Sequence, residues 1–352
     1  MSSSTAIRRR IARRSYLVRT GLLVVPLLWL VVFFAIPLIY SLVLSVSVGS
    51  IATGFTTPPE VFTLDNYARV LNQNMANIRN SLTMGGLATV LAFLIATPLA
   101  YGISYYGGRR KTLLLTLVLL PFLTSYMIRI ISWQRILGTD GPVVGLLRML
   151  GMVDESFSIV GTPYAVVASL TYQSIPFVFL PIYISFGRQP ASLKEAARDL
   201  YSGPWGRPGL LAGGIAAVVL FVLAYYAFGW NTAENKVGPL IGGAVFAIVL
   251  ALLTARFVTA TFALVLFPLI RNGLMGATLL SFIPAIGDYV SASILGNTKT
   301  QMIGNVIQQK YLVQGDFTGA SALAALLILM LLILVAIYIK VVGSKGMFEN
   351  VG

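Results

Sequence analysis

The amino-acid sequence predicts an all-α polytopic membrane protein with about eight transmembrane helices, and three observations carry that prediction. Apolar residues make up 57% of the 352 positions and charged residues only 10%. The apolar residues come in blocks of about twenty, the length a helix needs to cross a hydrocarbon core. Most of these blocks also lack the charged face that every helix of a water-soluble bundle must present. One very large soluble core is thereby set aside.

The spans are expected, in order, at residues 20–48, 81–106, 112–132, 161–187, 209–230, 237–255, 268–290 and 319–342. The first comes after Arg8, Arg9, Arg10, Arg13, Arg14 and Arg19. Its apolar stretch is too long for a signal peptide and ends without a small-residue cleavage site, so it reads as a retained span. Between Arg256 and Arg271 the uncharged run is too short to cross. It reads as an interfacial connector into a helix at Pro268, or as a span beginning near Phe257 with Arg271 snorkelling.

Charge bias orients the chain. A cytoplasmic N-terminus places the N-terminal arginines, Arg109, Arg110, Lys111, Arg188, Lys194, Arg198, Arg207, Arg256, Arg271, Lys340 and Lys345 on one side. The outer loops keep Arg69, Arg79, Arg135, Arg148, Lys236, Lys299 and Lys310, balanced by Glu60, Asp65, Asp140, Asp154, Glu155, Glu234 and Asp316. The positive-inside rule then puts both termini in the cytoplasm. The net charge of +14 is accounted for by these topology determinants, so nucleic acid is not an expected partner, whereas membrane lipid is.

Much chemistry is excluded at once. The chain has no Cys and no His, which removes thiol chemistry, disulfides, Cys/His metal sites and imidazole bases. With few acids besides, a catalytic constellation cannot be assembled in the bilayer, and no enzyme activity or metal site is expected. No G-x-x-x-x-G-K-[ST] loop occurs, and GGRRKT at Gly107 lacks its spacing, so the chain does not hydrolyse ATP itself.

One segment is polar and helical between apolar neighbours. In RQPASLKEAARDLYSGPWGR, from Arg188 to Arg207, Pro190 bars continuation of the preceding span. Ser192 and Glu195 form a capping box, and Gly203 with Pro204 ends the helix. Leu193, Ala196, Ala197 and Leu200 share one face, with Lys194, Glu195, Arg198 and Asp199 around it. Periodicity alone leaves two readings, a docking face for a partner protein or a helix lying on lipid headgroups.

Glu195-Ala196-Ala197-Arg198-Asp199-Leu200 resembles the EAA signature of the membrane-spanning subunits of ABC importers. PFLTSYMIRIISWQRIL (Pro121–Leu137), PFVFLPIYISF (Pro176–Phe186), SFIPAIGDYVSASILG (Ser281–Gly296) and IGNVIQQKYL (Ile303–Leu312) resemble the polyamine (spermidine/putrescine) permease branch and keep its order. The resemblance implies a type I-like permease fold of six core spans. It also implies an EAA helix seated on a cytoplasmic ATPase, a second permease subunit, an ATPase dimer carrying ATP and magnesium, and an external or periplasmic solute-binding protein. Location in a bacterial plasma (inner) membrane is implied by the same resemblance.

Two departures stand out. Tyr201 replaces the glycine that the family places after EAA-x-x-Leu, and the second cytoplasmic element, Thr261 to Pro268, comes after a much longer gap. That gap holds two apolar stretches, each long enough to cross, so an inserted hairpin raises the expected count from six to eight without inverting the later spans. The implied organisation is a basic N-terminal segment at 1–19, four spans within 20–187, the EAA coupling region at 188–208 and the inserted hairpin at 209–255. The second part of the coupling loop and the last two core helices occupy 256–342, and a cytoplasmic tail 343–352.

Asp288, flanked by Gly287 and Tyr289, is the acid embedded in an apolar run and hence the candidate for the substrate path, with Tyr289 adding an aromatic face for an ammonium group. Asp288 equally suits an internal pair, for instance with Arg129, or the outer headgroup level. Arg129, near Trp133, reads as an interfacial anchor or salt-bridge partner. Pro121, Pro176, Pro181 and Pro284 either kink their helices or free carbonyls along a pathway. The cargo of such a permease is a polyamine or related small organic cation, or else an opine, amino acid derivative or anion. A secondary transporter would concentrate more ionisable residues along its path and show a repeated half, which this chain does not. A membrane scaffold is the remaining alternative.

Overall fold

The computed structural model describes residues 24–50, 53–190, 192 and 267–342, and side chains within 267–342 only at Ile270 and residues 273–340. The described residues fall into two compact units, drawn from 1–73 with 309–328 and from 74–308 with 329–352.

In the first unit, α1 (Val24–Ser45) is long and apolar enough to cross a membrane. It includes a π-helical turn at Val31–Ala35. A small antiparallel hairpin comes next, β1 (Val48–Ser50) paired with β2 (Gly54–Thr56), a minor addition to an otherwise helical fold that the sequence reading did not include. Gly49, with φ of 129°, allows it: a Cβ there would collide with the Gly54 carbonyl oxygen. Asn66 fastens the hairpin's entry by donating to the Ser45 and Ser47 carbonyls at 3.1 and 2.9 Å. Phe317 meets the edges of Phe55 and Tyr311, with ring centroids 6.2 and 4.5 Å apart.

The helix α2 (Asp65–Tyr106) starts well before residue 81, with a non-helical kink at Asn74. Its early polar residues, spent in sequence terms on a loop, are helical because they have partners. In the second unit, Asn77 and Asn80 donate to the Gln301 carbonyl, and Asn80 also to that of Lys299. Satisfying loop carbonyls in this way removes the need for water at them.

The expected span at 112–132 is not a straight helix. α3 (Lys111–Leu119) passes into a 3₁₀ turn at Leu120–Leu123, Thr124 and Ser125 are extended, and α4 (Tyr126–Leu137) departs afresh. The limbs Gly108–Leu123 and Tyr126–Met149, the latter including α5 (Pro142–Met149), are bent by 93°. Pro121 lacks the N–H that would continue the α-helical ladder. The Thr124 hydroxyl instead bonds the Pro121 carbonyl at 2.7 Å.

α6 (Pro163–Gly187) is the most enclosed of the long helices and matches the expected span to within two residues. The Thr162 side chain caps it and Pro163 opens it, the arrangement a helix start favours. α7 (Phe267–Gly287) stops short of the expected end at residue 290: Asp288 and Tyr289 are non-helical, and α8 (Val290–Leu295) begins beyond them. α9 (Ile303–Gln309) and α10 (Phe317–Val342) complete the described chain. Four described helices are long and apolar enough to cross, with the bent pair a fifth candidate and Gly273–Gly287 a shorter apolar one. The spans expected at 209–230 and 237–255 lie outside the described residues, as do 1–19 and 343–352.

Two apolar clusters hold the second unit together. One gathers Met84, Ala88, Ile130, Leu170, Leu295 and Met302. In the other, Ala92, Ala96 and Ala100, spaced four apart on α2 and fully buried, let Phe179, Ile182 and Phe186 of α6 approach closely. Gly273 serves the same end on α7, because a Cβ there would collide with Ser185 Oγ on α6.

Candidate functional site

Asp288 stands where the backbone is broken between α7 and α8, and the break is built from the side chains around it. Its carboxylate accepts the Tyr126 hydroxyl, the Ser291 N–H at 2.8 Å and the Ser291 hydroxyl at 3.2 Å. Gln173 of α6 donates to Ser291 Oγ at 2.9 Å and to Ser169 Oγ at 3.3 Å. Neutral donors from α4 and α8 therefore converge on one acid, and α6 braces the second of them through Gln173. Asn305 of α9 supports the break from behind, donating to the Tyr289 carbonyl at 2.5 Å and to Ser293 Oγ at 2.6 Å while its own oxygen accepts the Met302 N–H. The carbonyls and donors that the missing helical turn would have paired are thus taken up.

Tyr126, Gln173 and Asp288 face a cavity of about 500 Å³ within the second unit. Asp288 and Tyr289 both line it, with Phe122, Tyr126, Gln173 and Phe177 among their neighbours. Pro176 and Pro284 line it too, whereas Pro121 and Pro181 do not, so the pathway reading suits two of the four prolines and the kink reading the others. The volume falls in the range of small-molecule sites, and the mixture of aromatic faces with a few convergent polar groups is their usual lining.

Arg129 is not the salt-bridge partner that the sequence suggested for Asp288; the ion pairs among the described residues join Arg69 and Lys310 to Asp316. Nor is it remote from the candidate path. It lines the cavity, its guanidinium carbon lying 5.5 Å from the Phe122 ring centroid and 5.8 Å from that of Tyr126. Its Nε is buried with no hydrogen-bond partner. Tyr126 thus stands between opposite charges, its ring beside the arginine and its hydroxyl on the aspartate. Trp133, expected beside Arg129 at an interface, packs edge-on to Tyr172 with centroids 5.8 Å apart.

Sequence reasoning missed Tyr126, Gln173, Ser291 and Asn305. Gln173 and Asn305 had a signal, since an amide in an apolar helical stretch must find partners. Tyr126 and Ser291 had none, because both residue types are ordinary in membrane helices. Of the expected coupling helix only Ser192 is described, and it is exposed. Glu195, Ala196, Ala197, Arg198, Asp199 and Leu200 lie outside the described residues.

Long apolar helices, with a break at an acid that lines a cavity of aromatic faces and a few polar groups, suit a polytopic membrane transport subunit. No family model matches the chain. It is 28% identical over 313 residues to the spermidine/putrescine transport system permease protein PotB of Haemophilus influenzae, covering 89% of this chain and 90% of the relative. It is 24% identical to the inner membrane ABC transporter permease protein YdcU of Escherichia coli, across 83% and 78% of the two chains. To the molybdenum transport system permease protein ModB of Azotobacter vinelandii it is 30% identical over 173 residues, 48% of this chain and 74% of the relative. The chain belongs to the ABC transporter permease family, whose members are transport subunits working within multi-subunit systems.

Proposed function

We propose that this permease subunit imports polyamines or a related small organic cation across a bacterial inner membrane, with both termini cytoplasmic. The observation that carries the cargo is the match along nearly the whole chain to a relative named for spermidine and putrescine. The cavity supports it: Asp288 is held by neutral donors, so its negative charge is not cancelled by an ion pair. An ammonium group entering there meets that charge and the rings of Phe177 and Tyr289, which add cation–π attraction.

In this reading the segment from Ser192 to Ser202 is the lever. Two ATPase subunits, carrying ATP and magnesium, close on nucleotide binding and draw that helix with them. The cavity, in a complex with a second permease subunit, then opens outward to receive cargo from a solute-binding protein. ATP drives the change only by binding one conformation better than the other. The chain itself holds no cofactor.

Two measurements test the proposal. Cells lacking other polyamine uptake and expressing the whole system should accumulate radiolabelled spermidine or putrescine, and failure to do so overturns the cargo. Glu195→Arg should abolish co-purification of the ATPase, and unaltered association overturns the coupling role. A second cargo reading, a solute bearing an anionic group such as an opine or amino acid derivative, is favoured by one observation, the unpartnered Arg129 Nε at the cavity wall.

A further inference from the structure

We propose that Arg129 is a specificity-determining residue that keeps the cavity weak for multiply charged cargo, a proposal that rests on the cationic cargo proposed above. Among the described residues that line the cavity, Arg129 and Asp288 are the charged ones, and they are of opposite sign. One tyrosine separates them: Arg129 lies beside the ring of Tyr126, whose hydroxyl bonds Asp288. No ion pair joins them, so each projects its own field into the cavity.

For a cation the two fields oppose. The first ammonium is drawn to Asp288, and the aromatic faces that would hold a second are already beside a fixed guanidinium. Each further ammonium on a linear amine therefore approaches Arg129 within a medium of lowered dielectric, where like charges repel more strongly than in water. Affinity at the cavity should fall, not rise, as cargo charge increases. A transit site benefits from that balance, since cargo bound too tightly does not leave. Phe122 and Tyr126 hold the guanidinium by cation–π contact, which keeps the charge in the wall.

The test uses the whole transporter, purified with its partner subunits into lipid nanodiscs without the solute-binding protein, and titrated with radiolabelled spermidine and putrescine. Wild type should bind putrescine at least as tightly as spermidine, and tighter spermidine binding overturns the proposal without any variant being made. R129Q should tighten spermidine binding about tenfold and putrescine binding less, and R129K should restore wild-type binding. Binding by R129Q that is unchanged or weaker, in a complex that assembles and hydrolyses ATP, overturns the proposal, as does R129K behaving like R129Q. Uptake by cells separates this from the broader reading. If wild type imports neither polyamine, both fall; if it imports them and R129Q binds no tighter, only the role of Arg129 falls.

Discussion

Asp288 and Asp316 each stand just ahead of a helix, and each accepts a backbone N–H from that helix, Ser291 at 2.8 Å and Gly319 at 2.9 Å. Their other partners differ in kind. Asp316 takes Arg69 at 3.0 Å and Lys310 at 2.8 Å, so two cations meet one anion. Asp288 takes hydroxyls. The first arrangement consumes its charge in holding the polypeptide together, whereas the second holds the carboxylate in place and leaves its charge to act on something else. Hydrogen-bond partners, more than burial, separate a structural acid from a candidate binding acid here.

The largest effect expected from breaking this comparison is at Asp316. Lys310 is only 8% exposed, so Asp316→Ala strands a buried ammonium and should cost about 3 kcal/mol, read as a lowered thermal unfolding midpoint in detergent. The double variant Asp316→Leu with Lys310→Met should recover most of that loss, because replacing both members of a buried pair is often close to neutral. At Asp288 the readout changes from stability to transport. Asp288→Asn keeps the shape and most acceptors, and should lower polyamine import about tenfold or more with the level of assembled transporter unchanged.

Acid sharpens the contrast further. Burial raises the Asp316 pKa, but the hydrogen bonds from Arg69, Lys310 and the Gly319 N–H outweigh it and hold the carboxyl well below its ordinary value. A carboxyl depressed in the folded state stabilises above its unfolded pKa, roughly 3.9, and that contribution is lost as pH falls below it towards the folded value. Unfolding midpoints should therefore drop through that acid window in wild type and change less in Asp316→Asn. The smaller effects come last. Tyr126→Phe removes one donor to Asp288 and should cost about 1 kcal/mol of stability while import persists. Arg69→Gln, with the Arg69 side chain 40% exposed, should cost no more than about 0.5 kcal/mol.

Much of the helical plan was legible because apolar length is a robust signal: α6 and α10 begin within two residues of expectation. What hydropathy cannot see is direction. The 93° turn at Thr124 and Ser125 occurs inside a continuous apolar run, where Pro121 gave a hint but no angle. The early start of α2 was hidden for the opposite reason, since its asparagines read as loop until the carbonyls of Lys299 and Gln301 are seen to need them. The small hairpin depends on Gly49, a local backbone requirement that apolar patterning does not encode. For the candidate site, Asp288 and Tyr289 were marked by charge and aromaticity in an apolar segment, and both do line the cavity. That Arg129 lines the cavity was not legible, because an arginine near an aromatic residue has the same sequence signature whether it anchors a helix in headgroups or faces inward.

The two interruptions, at residues 124–125 and 288–289, have a mechanical corollary. An intact helix twists as a rod, and turning one end against the other ruptures its ladder of backbone bonds. A helix already parted offers a swivel. Rotating α4 or α8 about its gap would disturb Tyr126 on Asp288, the Ser291 contacts and the packing of Ile130 and Leu295, but would leave the interiors of both helices intact. Tyr126 and Asp288, which would greet a passing solute, thus stand at the points where the backbone ladder is already interrupted.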